Sequence, residues 1–145
     1  MSGRMTFEYD PQNDVVLARF TRFLLVSAAD VQMWKADMEE KLAQFSRKVD
    51  LLIDLDGLEV TFTAGRLFGQ ARREVLERFT QRAYCYGGDD MTRMFLSTSG
   101  VLHGNPVNQH ETRVQALLAL LADRDAVRRR TVSRPSTSHQ LAAVR

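Results

Sequence analysis

Residues 49–70, VDLLIDLDGLEVTFTAGRLFGQ, join an apolar run to a turn and then to an amphipathic segment. The run Val49–Leu55 has too little polarity for a half-exposed strand, and it therefore predicts a central strand that is covered on both faces. Gly57 ends this strand. From about Thr63 to Thr80 the apolar residues recur with helical periodicity, which predicts a helix that packs on the sheet. The stretch therefore indicates a strand, a loop and a helix in succession.

The segment before this stretch predicts a β-hairpin and a first helix. Two short extended runs flank residues 10–14, DPQND, whose Pro, Asn and Asp residues favour a turn. Ser27 and Asp30 have the spacing of a capping box, in which a hydroxyl and a carboxylate bind free backbone amides at a helix start. One apolar stripe then follows at three- and four-residue steps, formed by Val31, Trp34, Met38, Leu42 and Phe45.

The segment after this stretch predicts further strands and helices in alternation. Residues 82–87 are expected to form a strand. Asp89 or Asp90 is expected to cap a third helix that ends at Gly100. A short extended piece is expected at residues 105–107.

The last part of the ordered chain predicts one more helix. Residues 108–111, NQHE, have the pattern of a second capping box, and an amphipathic helix follows them. Alternating strands and helices of this kind predict an α/β fold with parallel crossovers. We expect a mixed sheet of four or five strands, with an N-terminal hairpin and about four helices packed on it.

Length and charge predict one domain followed by a basic tail. The chain has 145 residues, which suits a single core. Residues 1–123 hold 14 basic and 17 acidic residues, whereas residues 124–145 hold six basic residues and one acidic residue. The tail also has few apolar residues after Val127, so it is expected to be disordered beyond the last helix. Its cluster of three arginines at 128–130 suits nucleic acid or anionic lipid, but without interleaved aromatic residues we favour a solvated appendage.

The composition predicts a globular protein of the cytoplasm. Hydrophobic residues make up 44% and charged residues 26% of the chain, which is close to the average for soluble proteins. No run approaches the roughly 18 apolar residues of a membrane helix, and the N-terminus lacks the apolar core of a secretory signal. The lone Cys85 lies in a predicted strand and cannot form an internal disulfide, so we expect a packed thiol in a reducing compartment.

The sequence does not contain the motifs of common enzyme classes. It has no Walker loop, no GxGxxG after a strand and no GxSxG elbow. Asp54 and Asp56 could face a divalent metal at a strand end, but no third ligand has a diagnostic spacing, so turn-forming roles are favoured. His103 and His110 follow no helical ligand spacing and are expected to be ordinary loop residues. We therefore expect a protein that is not an enzyme and that has no metal or cofactor.

The order of hairpin, helix, strand, loop, helix, strand, helix, strand and helix resembles the STAS family. This family joins sulfate transporters with anti-sigma-factor antagonists, and the likeness is greater to its uncharacterised bacterial SpoIIAA-like members. The resemblance covers about residues 6–123. It rests on the strand that ends at Asp54, the loop Asp56–Phe62 and the helix that opens at Thr63–Gly65.

The family resemblance implies a role for the loop before this helix. In phosphorylatable members the loop carries an Asp-Ser-Ser-Gly or Asp-Ser-Thr-Gly motif, whose first hydroxyl is phosphorylated by a partner kinase. The corresponding residues in this chain are Phe62, Thr63, Ala64 and Gly65. Thr63 and Gly65 thus keep the hydroxyl and the glycine, while Phe62 stands at the acidic position.

Thr63 at this junction has two interpretations. As a helix N-cap, which we favour for the residue alone, its hydroxyl would accept a backbone amide bond and stabilise the helix by about 1 kcal/mol. As a phosphoacceptor, it would place a phosphate at the positive end of the helix, with Arg66 one turn away. The candidate interaction and phosphoacceptor residues are Asp56, Glu59, Thr61, Thr63, Gly65 and Arg66.

Two classes of function remain open, and we favour the first. It is a non-catalytic protein-interaction module that presents residues 56–73 to a partner, which the family resemblance implies to be an anti-sigma factor or a kinase. The second is a small-molecule or lipid-binding module, which the likeness of the family's fold to CRAL-TRIO lipid carriers suggests. An apolar cavity beneath Leu67, Phe68, Met94 and Phe95 would favour the second class. Nucleic acid is not favoured as a partner, and a homodimer stays open.

Overall fold

A computed structural model describes residues 4–102 and 108–144 of the chain. Its elements, in chain order, are β1 (Met5–Asp10), β2 (Val15–Phe20), β3 (Phe23–Leu25), α1 (Ala28–Leu42), β4 (Val49–Asp54), β5 (Leu58–Val60), α2 (Phe62–Phe79), β6 (Thr80–Tyr86), α3 (Asp90–Leu102), β7 (Asn108–His110) and α4 (Arg113–Val144). The predicted α/β class is confirmed.

Five strands form a mixed sheet in the order β1-β2-β4-β6-β7. The hairpin strands β1 and β2 are antiparallel, and the other neighbouring pairs are parallel. β4 lies in the middle of this sheet, and its first five residues are all buried. The predicted hairpin, the central strand and the five-stranded mixed sheet are therefore confirmed.

A second sheet of two strands was not predicted. β5 lies within the segment that the sequence indicates as a loop, and it pairs in parallel with β3. Leu58 and Val60 are buried, while Glu59 between them is exposed. Gly57 makes the turn before β5 with a φ of 86°, a conformation that glycine adopts at little cost. The loop backbone is thus fixed by strand pairing.

Helices cover both faces of the five-stranded sheet. On one face α1 and α2 pack together, and the ring centroids of Trp34 and Phe68 are 5.0 Å apart in an edge-to-face contact. On the other face α4 buries Leu120 against Leu17 and Leu52 of the sheet. The structure is therefore a three-layer arrangement in which both faces of β4 are covered, as its composition predicts.

The structure confirms the capping box predicted for α1 and contradicts the one predicted for α4. The capping box at α1 is confirmed, since the Ser27 hydroxyl accepts a hydrogen bond from the Asp30 amide and the Asp30 carboxylate accepts one from the Ser27 amide. The capping box expected at residues 108–111 is wrong, because residues 108–110 form β7. At α4 the Thr112 hydroxyl accepts from the amide of Gln115, whose side chain accepts from the Thr112 amide in return.

The last strand and the last helix differ in extent from expectation. The extended piece expected at residues 105–107 lies outside the described residues, and the strand pairing occurs at β7. α4 continues across the expected boundary at residue 124, and Arg124 belongs to the folded part because it binds the buried Asp50 at 2.7 Å. The division into a domain and a disordered tail stays a prediction. No helix in the described part of the chain is long and apolar enough to span a bilayer.

Cys85 lies on β6 in the core, as expected. Its side chain is fully buried, and its thiol donates a weak hydrogen bond to the carbonyl of Asn108 at 3.5 Å. Burial raises the pKa of the thiol, because the thiolate would lose its hydration. Cys85 therefore packs in the core as a neutral thiol.

Candidate interaction surface

Asp56 connects two loops at the carboxyl ends of the parallel strands. Its amide donates to the carboxylate of Asp54 at 2.9 Å, and its own carboxylate accepts a bond from the amide of Gly88 at 2.8 Å. A β-carbon on Gly87, whose φ is 71°, would come within 2.9 Å of the Asp56 carboxylate. Asp56 is exposed, but its observed role is to hold the β4–β5 turn against the β6–α3 turn.

Asp54 lies at the end of β4 in a poorly hydrated position. Burial raises the pKa of this carboxyl, and the negative charge of Asp56 acts in the same direction. The pKa of the neighbouring Tyr86 is also raised, first by burial and then by the charge of Asp54. Within residues 4–102 and 108–144, no cluster of three or more acidic, histidine or cysteine side chains is arranged to hold a metal ion.

The start of α2 differs from the predicted one. The helix begins at Phe62, and Thr61 is the N-cap residue, although its side chain makes no capping bond. The Thr61 hydroxyl and amide both donate to the carbonyl of Leu25, at 3.1 and 3.0 Å. The prediction that Thr63 caps α2 is therefore wrong, because the pairing of β3 with β5 makes the chain enter the helix earlier. Thr63 lies in the first helical turn with an exposed side chain.

Gly65 is the member of the candidate set that is buried. A β-carbon at this position would lie 2.5 Å from atoms Cδ1 and Cε1 of the Phe95 ring on α3. The glycine therefore lets α2 and α3 approach each other closely. In this chain its role is one of packing.

Thr92 joins the two-stranded sheet of β3 and β5 to α3. The residue is fully buried, and its hydroxyl accepts a hydrogen bond from the Val60 amide at 3.3 Å. Its own amide donates to the carboxylate of Asp89 at 2.7 Å, which confirms Asp89 as one of the two expected caps of α3. The sequence gives no signal for the role of Thr92, because it depends on a contact between distant segments.

Apolar side chains cluster beside the first turn of α2. Phe62 is 78% exposed, and its ring centroid lies 6.2 Å from that of the partly buried Phe95. Met91 and Met94 are exposed too, and with Phe95 they occupy one face of α3, since the steps are three and four residues. We call Phe62, Met91, Met94 and Phe95 the α2–α3 patch.

Three of the candidate residues are exposed and lie near Phe62 in the chain. They are Glu59 on β5 and Thr63 and Arg66 in the first turns of α2, which supply a carboxylate, a hydroxyl and a guanidinium. Phe62 itself was missed as a site residue, because the sequence shows it only as a departure from a family motif. The spacing of residues 91, 94 and 95 is a signal for a helix face, but spacing alone does not tell a core face from a surface.

The geometry can be compared with known proteins. No protein-family model matches the chain, and no curated protein matches it at a significant level. Solved structures do match. An anti-sigma-factor antagonist (STAS) domain protein from Planctomyces limnophilus superposes with a TM-score of 0.56 at 16% identity, over 80% of this chain and 96% of that one. The chain has the STAS fold.

Two SpoIIAA structures with the STAS fold are similar as well. The anti-sigma factor antagonist SpoIIAA in its unphosphorylated form matches with a TM-score of 0.53 at 17% identity, over 81% of this chain and 96% of that one. The Bacillus cell fate determinant SpoIIAA in its phosphorylated form matches with a TM-score of 0.50 at 16% identity, over 80% and 98%. The predicted resemblance is thus confirmed for the fold.

Proposed function

We propose that this chain is a non-catalytic regulatory module that presents the loop Asp56–Arg66 and the α2–α3 patch to a protein partner. The exposure of Phe62 carries the proposal. Burying a phenylalanine side chain that is otherwise in water contributes about 1.5–3 kcal/mol, and aromatic and methionine side chains are enriched at protein interfaces. The patch offers one exposed aromatic ring, that of Phe62, and two exposed methionines for this purpose.

The fold supports a regulatory partner. Similar structures are described as anti-sigma-factor antagonists. We propose an anti-sigma factor or a kinase-like protein of the cytoplasm as the partner of this chain. The loop lies at the carboxyl end of β4, where open α/β sheets generally place their binding sites.

Thr63 is the proposed point of regulation. Its side chain is exposed in the first turn of α2, where a phosphate would meet free backbone amides and the positive end of the helix. Arg66 is also exposed and lies one turn further along. A phosphate would add a charge of about −1.5 to −2 beside the rings of the α2–α3 patch. We expect this charge to weaken an interface that buries Phe62.

The packing of α2 favours this proposal over a small-molecule or lipid-binding module. The alternative needs apolar space beneath Leu67, Phe68, Met94 and Phe95. Phe68 is buried against Trp34, and Phe95 lies directly on Gly65. Two of the four side chains therefore pack against other parts of the protein rather than over an open apolar space.

Affinity capture from cells of the source organism tests the proposal. The full chain, Phe62→Ser and Leu118→Ser would serve as baits, with bound proteins identified by mass spectrometry. Leu118 is a matched control, because it is a 61% exposed apolar residue on α4, across the sheet from the patch. We expect one partner to be retained by the full chain and by Leu118→Ser and to be lost by Phe62→Ser.

Two further results would separate the parts of the proposal. Retention of the same partner by Phe62→Ser would remove the α2–α3 patch from the interface. Calorimetric titration of that partner with Thr63→Glu should show weaker binding than with Thr63→Gln, because only the first variant adds a charge. Equal affinities would contradict regulation through Thr63.

A further inference from the structure

A concave site lies at the opposite end of the strands from the α2–α3 patch. It is a cleft of about 290 Å³ at the amino ends of β2, β4 and β6, where α4 passes over them. Its charged lining consists of Arg47, Arg82, Arg124, Arg128, Asp14 and Asp50. Four guanidinium groups therefore share the cleft with two carboxylates.

Asp50 is buried beneath two of these arginines. Its side chain is 7% exposed, and it accepts hydrogen bonds from Arg82 at 3.0 Å and from Arg124 at 2.7 Å. One carboxylate thus compensates for two guanidiniums that are themselves only 16% and 21% exposed. The further carboxylate near Arg82 is that of Asp123, which is 3.8 Å away and 46% exposed. With Asp50 and Asp123 beside them, the two guanidiniums of the floor are nearly balanced in charge. The excess positive charge around the cleft therefore comes from the arginines of its rim.

The rim of the cleft carries two arginines that are exposed. Arg47 is 50% exposed and binds Asp14 at 2.6 Å, and Arg128 is 68% exposed and contacts Asp125 of its own helix at 3.3 Å. Surface ion pairs of this kind contribute little to stability, so an incoming anion can replace one at small cost. Arg129 shares the carboxylate of Asp125 with Arg128, at 3.7 Å. Arg129 and Arg130 are both exposed, so the rim keeps more basic than acidic groups.

We propose that this cleft binds the phosphate group of a small phosphorylated molecule. Guanidinium groups recognise phosphate through paired, charge-assisted hydrogen bonds, which Arg47 and Arg128 can supply from the rim. Arg82 and Arg124 are held in place by Asp50 and form a fixed floor beneath the rim arginines. The volume lies at the lower end of the range for small-ligand sites, which suits a phosphate with a short carrier. The site is independent of the proposed partner surface.

Titration calorimetry on the full chain tests this proposal, with glycerol 3-phosphate and inorganic phosphate as the two ligands at constant ionic strength. The variants are Arg128→Gln and Arg47→Gln, and the matched control is Arg78→Gln, a 72% exposed arginine on α2 outside the cleft. We expect saturable binding to the unmodified chain and to Arg78→Gln. Each rim variant should weaken binding roughly tenfold, because it removes a charge-assisted hydrogen bond.

The two ligands distinguish the sources of the phosphate. Tighter binding of glycerol 3-phosphate supports the small phosphorylated molecule, whereas equal or weaker binding than that of inorganic phosphate would overturn it. The absence of saturable binding, or equal binding by all three variants, would overturn the site itself. Circular dichroism of each variant before titration shows whether it is folded, so that a loss of binding can be distinguished from unfolding.

Discussion

The ring of Phe95 on α3 lies against Gly65 of α2 so closely that no β-carbon fits between them. Two helices that meet at a glycine approach each other more closely than larger residues permit. The same ring touches Phe62, so the packed contact and the exposed patch share one residue. The position of the patch thus depends on the helix contact beneath it.

Gly65→Ala should destabilise the protein by about 1–3 kcal/mol, because the added methyl group overlaps the Phe95 ring. Alanine has the higher helix propensity by about 1 kcal/mol, so the overlap must exceed this gain for the prediction to hold. Denaturant unfolding measures the difference. Gln70→Ala, an exposed change on the same helix, should lie within about 0.5 kcal/mol of the unmodified protein. A stabilised Gly65→Ala variant would show that α3 moves away freely.

Ser27→Ala and Thr63→Val should have different effects on stability, although both remove a hydroxyl near a helix start. The Ser27 hydroxyl caps α1, and its loss should cost about 1 kcal/mol. Thr63 lies within the first turn of α2 and is exposed, so its change should stay within about 0.5 kcal/mol. Thermal melts of the two variants make the comparison. Equal losses would mean that Thr63 caps α2 in solution.

The tyrosine absorbance of the folded protein should titrate at higher pH than that of the unfolded protein. The chain has three tyrosines. A hydrogen bond to Asp14 raises the pKa of Tyr9, and burial raises that of Tyr86. Burial and a hydrogen bond to Asp123 raise the pKa of Tyr84 to about 12. Spectrophotometric titration with and without denaturant should therefore show a clear separation of the two curves.

The sign of the accompanying stability change follows from the same shift. Because the folded pKa of Tyr84 is raised, its contribution to the free energy of unfolding is fully present below the ordinary value near 10. The contribution is lost as the pH rises from there toward about 12. Tyr84→Phe should remove the last step of the absorbance titration. A last step that persists in this variant would assign the late titration to another tyrosine.

Arg124→Ala should lower the free energy of unfolding by about 2 kcal/mol, because the buried Asp50 loses one of its two guanidinium partners. Arg129→Ala, which removes an 82% exposed arginine five residues further along α4, is the control and should have little effect. Denaturant unfolding of both variants checks the prediction. A small effect of Arg124→Ala would mean that Arg82 alone compensates for Asp50.

Removal of the chain after Arg130 should leave the melting temperature nearly unchanged, since the sequence there has no apolar stripe.

The sequence predicts the elements that depend on local pattern. The burial of Val49–Leu55, the hairpin turn and the capping box at Ser27 all arise from residues that are near one another in the chain. β5 could not be predicted in this way, because three residues carry little pattern and their partner strand lies more than 30 residues earlier. The same pairing moved the start of α2 away from Thr63.

Only the part of the candidate site that depends on residues near one another in the chain was predicted. Asp56, Glu59, Thr63 and Arg66 do lie exposed in one region, as their proximity in sequence suggests. The role of Gly65 depends on Phe95, and the α2–α3 patch depends on α3, so both require contacts between segments far apart in the chain. Residue type alone did not show that Phe62 is exposed.

Arg124 joins α4 to the turn between β1 and β2. Its guanidinium donates to the carbonyls of Asn13 and Asp14 at 2.8 and 3.1 Å, across more than 100 residues of sequence. During synthesis, the hairpin of β1 and β2 emerges from the ribosome long before α4 is made. During that interval Leu17 and Leu52 have no helix to cover them, and nascent chains would expose an apolar sheet face to one another. The time that translation takes to pass from β6 to α4 therefore sets how long this sheet face stays uncovered in a nascent chain.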